Sequence, residues 1–209
     1  MRRTTMRKAV GLGAAGIAML LAASSVWAQQ PQKVNVRGTI EAVDGAVLST
    51  KSRDGTVMKV KLADNASVRG VVKKELADVK VGSYVGIATM PQADGSLKAL
   101  EVLIFPDAMR GAGEGHRPWD LQPTSQMTNA NVEVMVAGKD GQELSLKYKD
   151  GEKKIVVPPD VPVVTFVPGD KSELKPGAKI VIIGATKQED GTVEAAGVNV
   201  GRDGIMPPM

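Results

Sequence analysis

Beyond residue 30, apolar and polar residues alternate with a period of two along much of the chain. In Val57-Met58-Lys59-Val60-Lys61-Leu62, the side chains of Met58, Val60 and Leu62 fall on one face of an extended segment, the pattern of a half-buried strand. Leu100, Val102 and Ile104 give the same pattern, as do Val132, Val134 and Val136. Between such runs stand Asp-Gly pairs at Asp44-Gly45, Asp54-Gly55, Asp94-Gly95, Asp140-Gly141, Asp150-Gly151 and Asp190-Gly191. Asp-Gly flanked by alternating segments predicts a hairpin with a type I′ turn, which needs positive φ at both central residues. Only Lys73 to Asp78 and Asp170 to Leu174 read as helical, for one or two turns each.

The Asp-Gly pairs carry a second message. The last three follow the first three at a constant spacing of 96 residues. Leu48-Ser49-Thr50-Lys51 answers Leu144-Ser145-Leu146-Lys147. Val79-Lys80-Val81-Gly82 answers Leu174-Lys175-Pro176-Gly177 with one residue deleted. The chain therefore reads as a duplicated module of five or six short strands with a small helical insertion. Closing such strands into a barrel removes exposed sheet edges. The expected fold is all-β, with two tandem small OB-like Greek-key β-barrels; a β-sandwich is the competing architecture. The expected partition is a first barrel over 29–110, a Gly/Pro connector over 111–126, a second barrel over 127–204 and a tail over 205–209.

The first 28 residues stand apart from this pattern. Arg2, Arg3, Arg7 and Lys8 precede an apolar stretch from Ala9 to Ala23, which closes on Val26-Trp27-Ala28. That order is the signature of a secretory signal peptide cut after Ala28. Arg2-Arg3 raises the twin-arginine route, but Thr4-Thr5-Met6 fits the general route better. Cleavage alters the electrostatics. Four of the 27 Lys and Arg lie in the signal, so the remainder balance the 23 Asp and Glu. A near-neutral chain lacks the basic excess of a nucleic-acid or polybasic membrane binder. There is no cysteine, so the modules must hold by packing, without disulfides or thiol chemistry. No later apolar run is long enough to span a bilayer, so no membrane insertion is expected after cleavage.

Several segments are familiar as a set. Val36-Arg37-Gly38-Thr39, Phe105-Pro106-Asp107-Ala108-Met109-Arg110-Gly111, Gly113-Glu114-Gly115-His116-Arg117-Pro118-Trp119-Asp120-Leu121 and Met127-Thr128-Asn129-Ala130 resemble a family of small secreted proteobacterial proteins. Glu152 to Pro159 and Val200-Gly201-Arg202-Asp203-Gly204 extend the resemblance over nearly all of the chain beyond the signal. The resemblance implies export and tandem OB-like domains of unknown function, with no site residues. Many members carry the label "metal ABC transporter permease". A permease needs several membrane-spanning helices, which this sequence does not supply.

Candidate chemistry is sparse. Gly11-Leu12-Gly13-Ala14-Ala15-Gly16 matches a dinucleotide fingerprint but lies inside the signal, without a preceding strand. A His-Asp pair could be made from His116 and Asp120, but no nucleophile-elbow serine accompanies it. No catalytic residue and no cofactor is assigned, and the chain is read as a non-enzyme. Thioethers, imidazole and a capping indole suit Cu(I) or Ag(I), so His116, Met109, Met127 and Trp119 form an alternative soft-metal set, with Met206 and Met209 in the tail. The competing reading makes Trp119 an anchor that fixes the connector, with Arg117 and Asp120 as neighbouring interface residues. The favoured function is a non-catalytic periplasmic or secreted binding or scaffold protein whose partner is an envelope protein or a small ligand. Nucleic acid is not an expected partner.

Overall fold

A computed structural model describes residues 32–207 of the chain. The signal-peptide reading of 1–28, the glycine fingerprint within it, and Met209 lie outside the described residues. Among these, the regular structure is strand, apart from three single 3₁₀ turns. The expectation of an all-β chain is met. No helix among the described residues is long and apolar enough to cross a membrane.

Two antiparallel meanders and two hairpins account for ten of the twelve strands. The first meander is β1 (Lys33–Asp44), β2 (Val47–Ser52) and β3 (Val57–Lys74). The first hairpin is β4 (Tyr84–Pro91) with β5 (Leu97–Ile104). After the short β6 (Gly115–Pro118) comes the second meander: β7 (Gln126–Gly138), β8 (Gly141–Tyr148) and β9 (Gly151–Val157). The chain continues through β10 (Val163–Pro168) to the second hairpin, β11 (Lys179–Lys187) with β12 (Val193–Gly201).

The meanders and hairpins close into two five-stranded rings, but not in sequence order. The first meander is closed by the second hairpin: β11 runs antiparallel to β1, and β12 parallel to β3. The second meander is closed by the first hairpin: β4 runs antiparallel to β7, and β5 parallel to β9. The expected boundaries, one barrel over 29–110 and another over 127–204, are therefore corrected. Each ring takes three strands from one half of the chain and two from the other. The cause lies in β3. It pairs with β2 over 57–61 and with β12 from Val60 to Val71, across an irregularity between Leu62 and Ser67, while its end, from Arg69 to Lys74, pairs with β10. The strand leaves the first ring and delivers the following hairpin to the second. Beyond β9, Pro158, Pro159 and Pro162 interrupt the ladder because proline has no N–H to donate. β10 then makes the same crossing in the opposite sense, antiparallel to the end of β3 from Lys74↔Val163 to Arg69↔Pro168 and parallel to β5.

Three apolar clusters follow from this. One fills the first ring with Ile40, Leu48, Val60, Ile180, Ile182 and Val198. A second fills the other ring with Ile87, Val102, Leu144, Leu146, Ile155 and Val157. Leu48, Ile180, Leu144 and Leu146 are fully buried, each contributing about 1.5–3 kcal/mol by leaving water. The third cluster lies where the chain crosses between rings, and contains Val71, Tyr84, Leu103, Phe105, Met127, Val164 and Phe166.

Two local expectations change. The glycines of five of the six Asp-Gly pairs supply positive φ, +55° at Gly45 and +84° at Gly95, whereas Gly151 and all six aspartates do not. The turns are not type I′. Instead Asp54, Asp94 and Asp190 accept from the backbone N–H two residues on, at 3.0, 2.9 and 2.9 Å, an Asx arrangement that the Gly completes. Val134 and Val136 do not follow Val132 inward. A bulge between Val132 and Val134 shifts the alternation by one, leaving the two valines 48% and 50% exposed while Met135 packs on the core.

Candidate ligand-binding site

The connector is more ordered than its glycines and prolines suggest. Gly115–Pro118 forms β6, antiparallel to β7, with His116 opposite Thr128 and Arg117 opposite Met127. Pro118 ends the strand, where no further N–H is required. The segment that follows closes on itself: the Trp119 N–H donates to the Ser125 carbonyl at 2.8 Å, and the Ser125 hydroxyl donates to the Trp119 carbonyl at 2.9 Å. Upstream, the Ala112 carbonyl accepts from the Tyr84 hydroxyl and from Asn129 Nδ2, at 3.2 and 3.0 Å. Arg110 reaches the Gly82 carbonyl and Asn131 Oδ1, at 3.0 and 2.7 Å.

Trp119 packs against the crossing cluster, and two guanidinium groups approach its ring, Arg37 at 5.7 Å and Arg117 at 5.5 Å from the ring centre. Arg37 also holds Asp120 through both carboxylate oxygens, at 2.7 and 3.0 Å, and Asn35 adds a third bond at 3.0 Å. Burial pushes the Asp120 carboxyl up, but the Arg37 and Asn35 bonds outweigh it and hold its pKa below the usual value. Asp120 thus fastens the indole to β1.

Beneath this indole lies a cavity of about 230 Å³. Its apolar wall is made by Phe105, Met109, Met127, Phe166, Ile183 and Trp119. Arg69, Arg117, Asn129 and Asn199 supply the polar wall. Asn129 and Asn199 are 6% and 7% exposed; each donates once, to Ala112 and Val181 carbonyls, and neither Oδ1 has a partner. Trp119 Nε1 is also buried without an acceptor. Burial lowers the Arg117 pKa, with the Tyr84 phenol opposing. Native interiors rarely leave buried polar atoms unmatched, since each costs about 1–3 kcal/mol. Three such atoms belong to residues of the cavity wall, though the atoms themselves are sealed from solvent.

The alternative soft-metal set is only partly gathered. Met109, Met127 and Trp119 line this cavity, but His116 does not. Strand alternation turns His116 to the opposite face of β6 from Arg117, where its Nδ1 meets the Thr128 hydroxyl at 2.8 Å and it lines an open groove with Gln126, Glu143 and Glu152. A site centred on His116 therefore cannot draw on those methionines. Among the described residues no group of three or more His, Cys, Asp or Glu is placed to hold a metal. His116 and Asp120 make no pair either, because Asp120 is committed to Arg37 and Asn35.

Sequence reasoning missed Arg69, Asn129 and Asn199. A signal was present for the last: Asn199 interrupts the apolar run Val198-Asn199-Val200, and a lone amide in a buried strand needs an explanation. Comparison with protein-family models, with curated proteins and with solved structures finds no match to this chain.

Proposed function

We propose that this chain is an exported, non-catalytic binding protein of the cell envelope, and that its binding site is the cavity beneath Trp119. Export rests on the charge, apolar core and small-residue order of residues 1–28. A binding rather than chemical role is supported by the composition of the cavity wall, which has aromatic and thioether groups but no His, Ser or carboxylate to act as nucleophile or base. The ring order of meander strands one to three, then hairpin strands two and one, supports the OB-like reading suggested by the family resemblance. The observation that carries the proposal is the pocket wall itself, in which Phe105, Met109, Met127, Phe166 and Trp119 stand beside Arg69 and Arg117. This combination of a mostly apolar pocket with a few fixed polar groups is characteristic of small-molecule sites.

The test is native mass spectrometry of the protein recovered from the envelope fraction. The expected result is a non-covalent mass adduct that disappears in Ile183→Phe, since Ile183 is 41% exposed and a larger side chain there narrows the mouth. A spectrum showing the bare chain, unchanged by that substitution, overturns the proposal.

A further inference from the structure

We propose that the ligand of this cavity is a small organic anion carried on one aromatic ring, such as an aromatic carboxylate; this rests on the cavity being the binding site. The argument begins with charge. The Arg69 guanidinium lines the cavity and makes no hydrogen bond or ion pair among the described residues. Arg117 donates to the Gly113 carbonyl at 2.8 Å and stacks on Trp119, which leaves further N–H donors without a partner. Neither guanidinium has a carboxylate partner, and no Asp or Glu is in the wall. Two cations brought into partial burial with no counter-charge are unfavourable unless an anion joins them. The planar guanidinium fork matches a carboxylate.

Size and shape set the rest. An apolar cavity of about 150 Å³ holds one benzene ring. The 230 Å³ found here leaves space for one ring and a short acidic arm. Phe105 and Phe166, with ring centres 6.2 Å apart and edge to face, and the indole above them offer the surfaces on which such a ring packs.

The experiment uses the chain from residue 29 onward, in which Trp119 is the single tryptophan. Benzoate and phenylacetate are titrated beside benzamide and benzylammonium, with Trp119 emission and calorimetry as readouts. Saturable binding of the two anions is expected, with benzamide weaker by about tenfold or more and affinity falling as salt rises. Arg69→Gln should weaken the anions by a similar factor while benzamide binds as before, and the melting midpoint of the free protein should not fall, since an unmatched charge is removed. Benzamide binding as tightly as benzoate, an unaltered benzoate affinity in Arg69→Gln, or no binding by any of the four overturns the anion assignment. The broader binding reading falls separately, on the native mass spectrum.

Discussion

At the scale of single residues, the connector places two neighbours in opposite environments. His116 and Arg117 are adjacent, yet alternation along β6 sends one to an open groove and the other to the cavity. For His116, burial first and the Lys153 charge second hold its pKa below the usual value, with a Gln126 bond opposing. The unfolded chain takes up its proton as the pH falls through about 6.5, while the folded chain resists until lower pH. The stabilisation is therefore full above that value and is lost as pH falls toward the native pKa. The melting temperature is expected to drop as the pH falls through and below about 6.5, and His116→Gln should flatten that slope. An identical slope in the variant would remove His116 from the account. Trp119, Arg117 and Asp120 stand out in the sequence because a large indole in a Gly/Pro stretch needs a surface to pack on. The cavity beneath the indole could not be read there, because Arg69, Phe166 and Asn199 lie far from it along the chain.

At the scale of elements, the strands follow local alternation except where a bulge or a close approach intervenes. Val134 and Val136 illustrate the first case: one extra residue in β7 reverses which side faces the core, and period-two counting cannot register it. Gly38 illustrates the second. It pairs with Ser52 of β2 and Ile180 of β11, and a Cβ there would stand 2.2 Å from the Lys51 carbonyl oxygen. Backbone cannot yield as a side-chain tip would, so Gly38→Ala should force β1 and β2 apart and cost about 2–3 kcal/mol. The measurement is the shift in urea midpoint at unchanged slope. A loss smaller than about 0.5 kcal/mol would show that β1 and β2 are not held this closely in solution.

At the scale of the whole molecule, the exchange of hairpins makes the halves interdependent. Neither half can close the rings described here without the other, and the β3–β10 ladder joins the rings along their shared crossing. A protease site placed among Gly111, Gly113 and Glu114, all exposed, should therefore yield a nicked protein whose two fragments stay together. Size-exclusion chromatography is expected to show one peak of unchanged volume, and thermal unfolding one transition by both circular dichroism and Trp119 emission. Two separable folded fragments, or two transitions, would mean that each half closes by itself.

Residue order alone settled the strand character of the chain and the location of most reversals, because alternation and Asp-Gly act over a few residues and need no distant partner. It also marked Trp119 as a residue that must find a packing surface. Which hairpin closes which meander was decided by tertiary structure, since the pairings of β11 with β1, β12 with β3, β4 with β7 and β5 with β9 all join residues far apart in the chain. The cavity shares that origin. Its walls come from β3, β7, β10, β11, β12, the connector, and Phe105 and Met109 after β5, so it exists only once the crossing has been made.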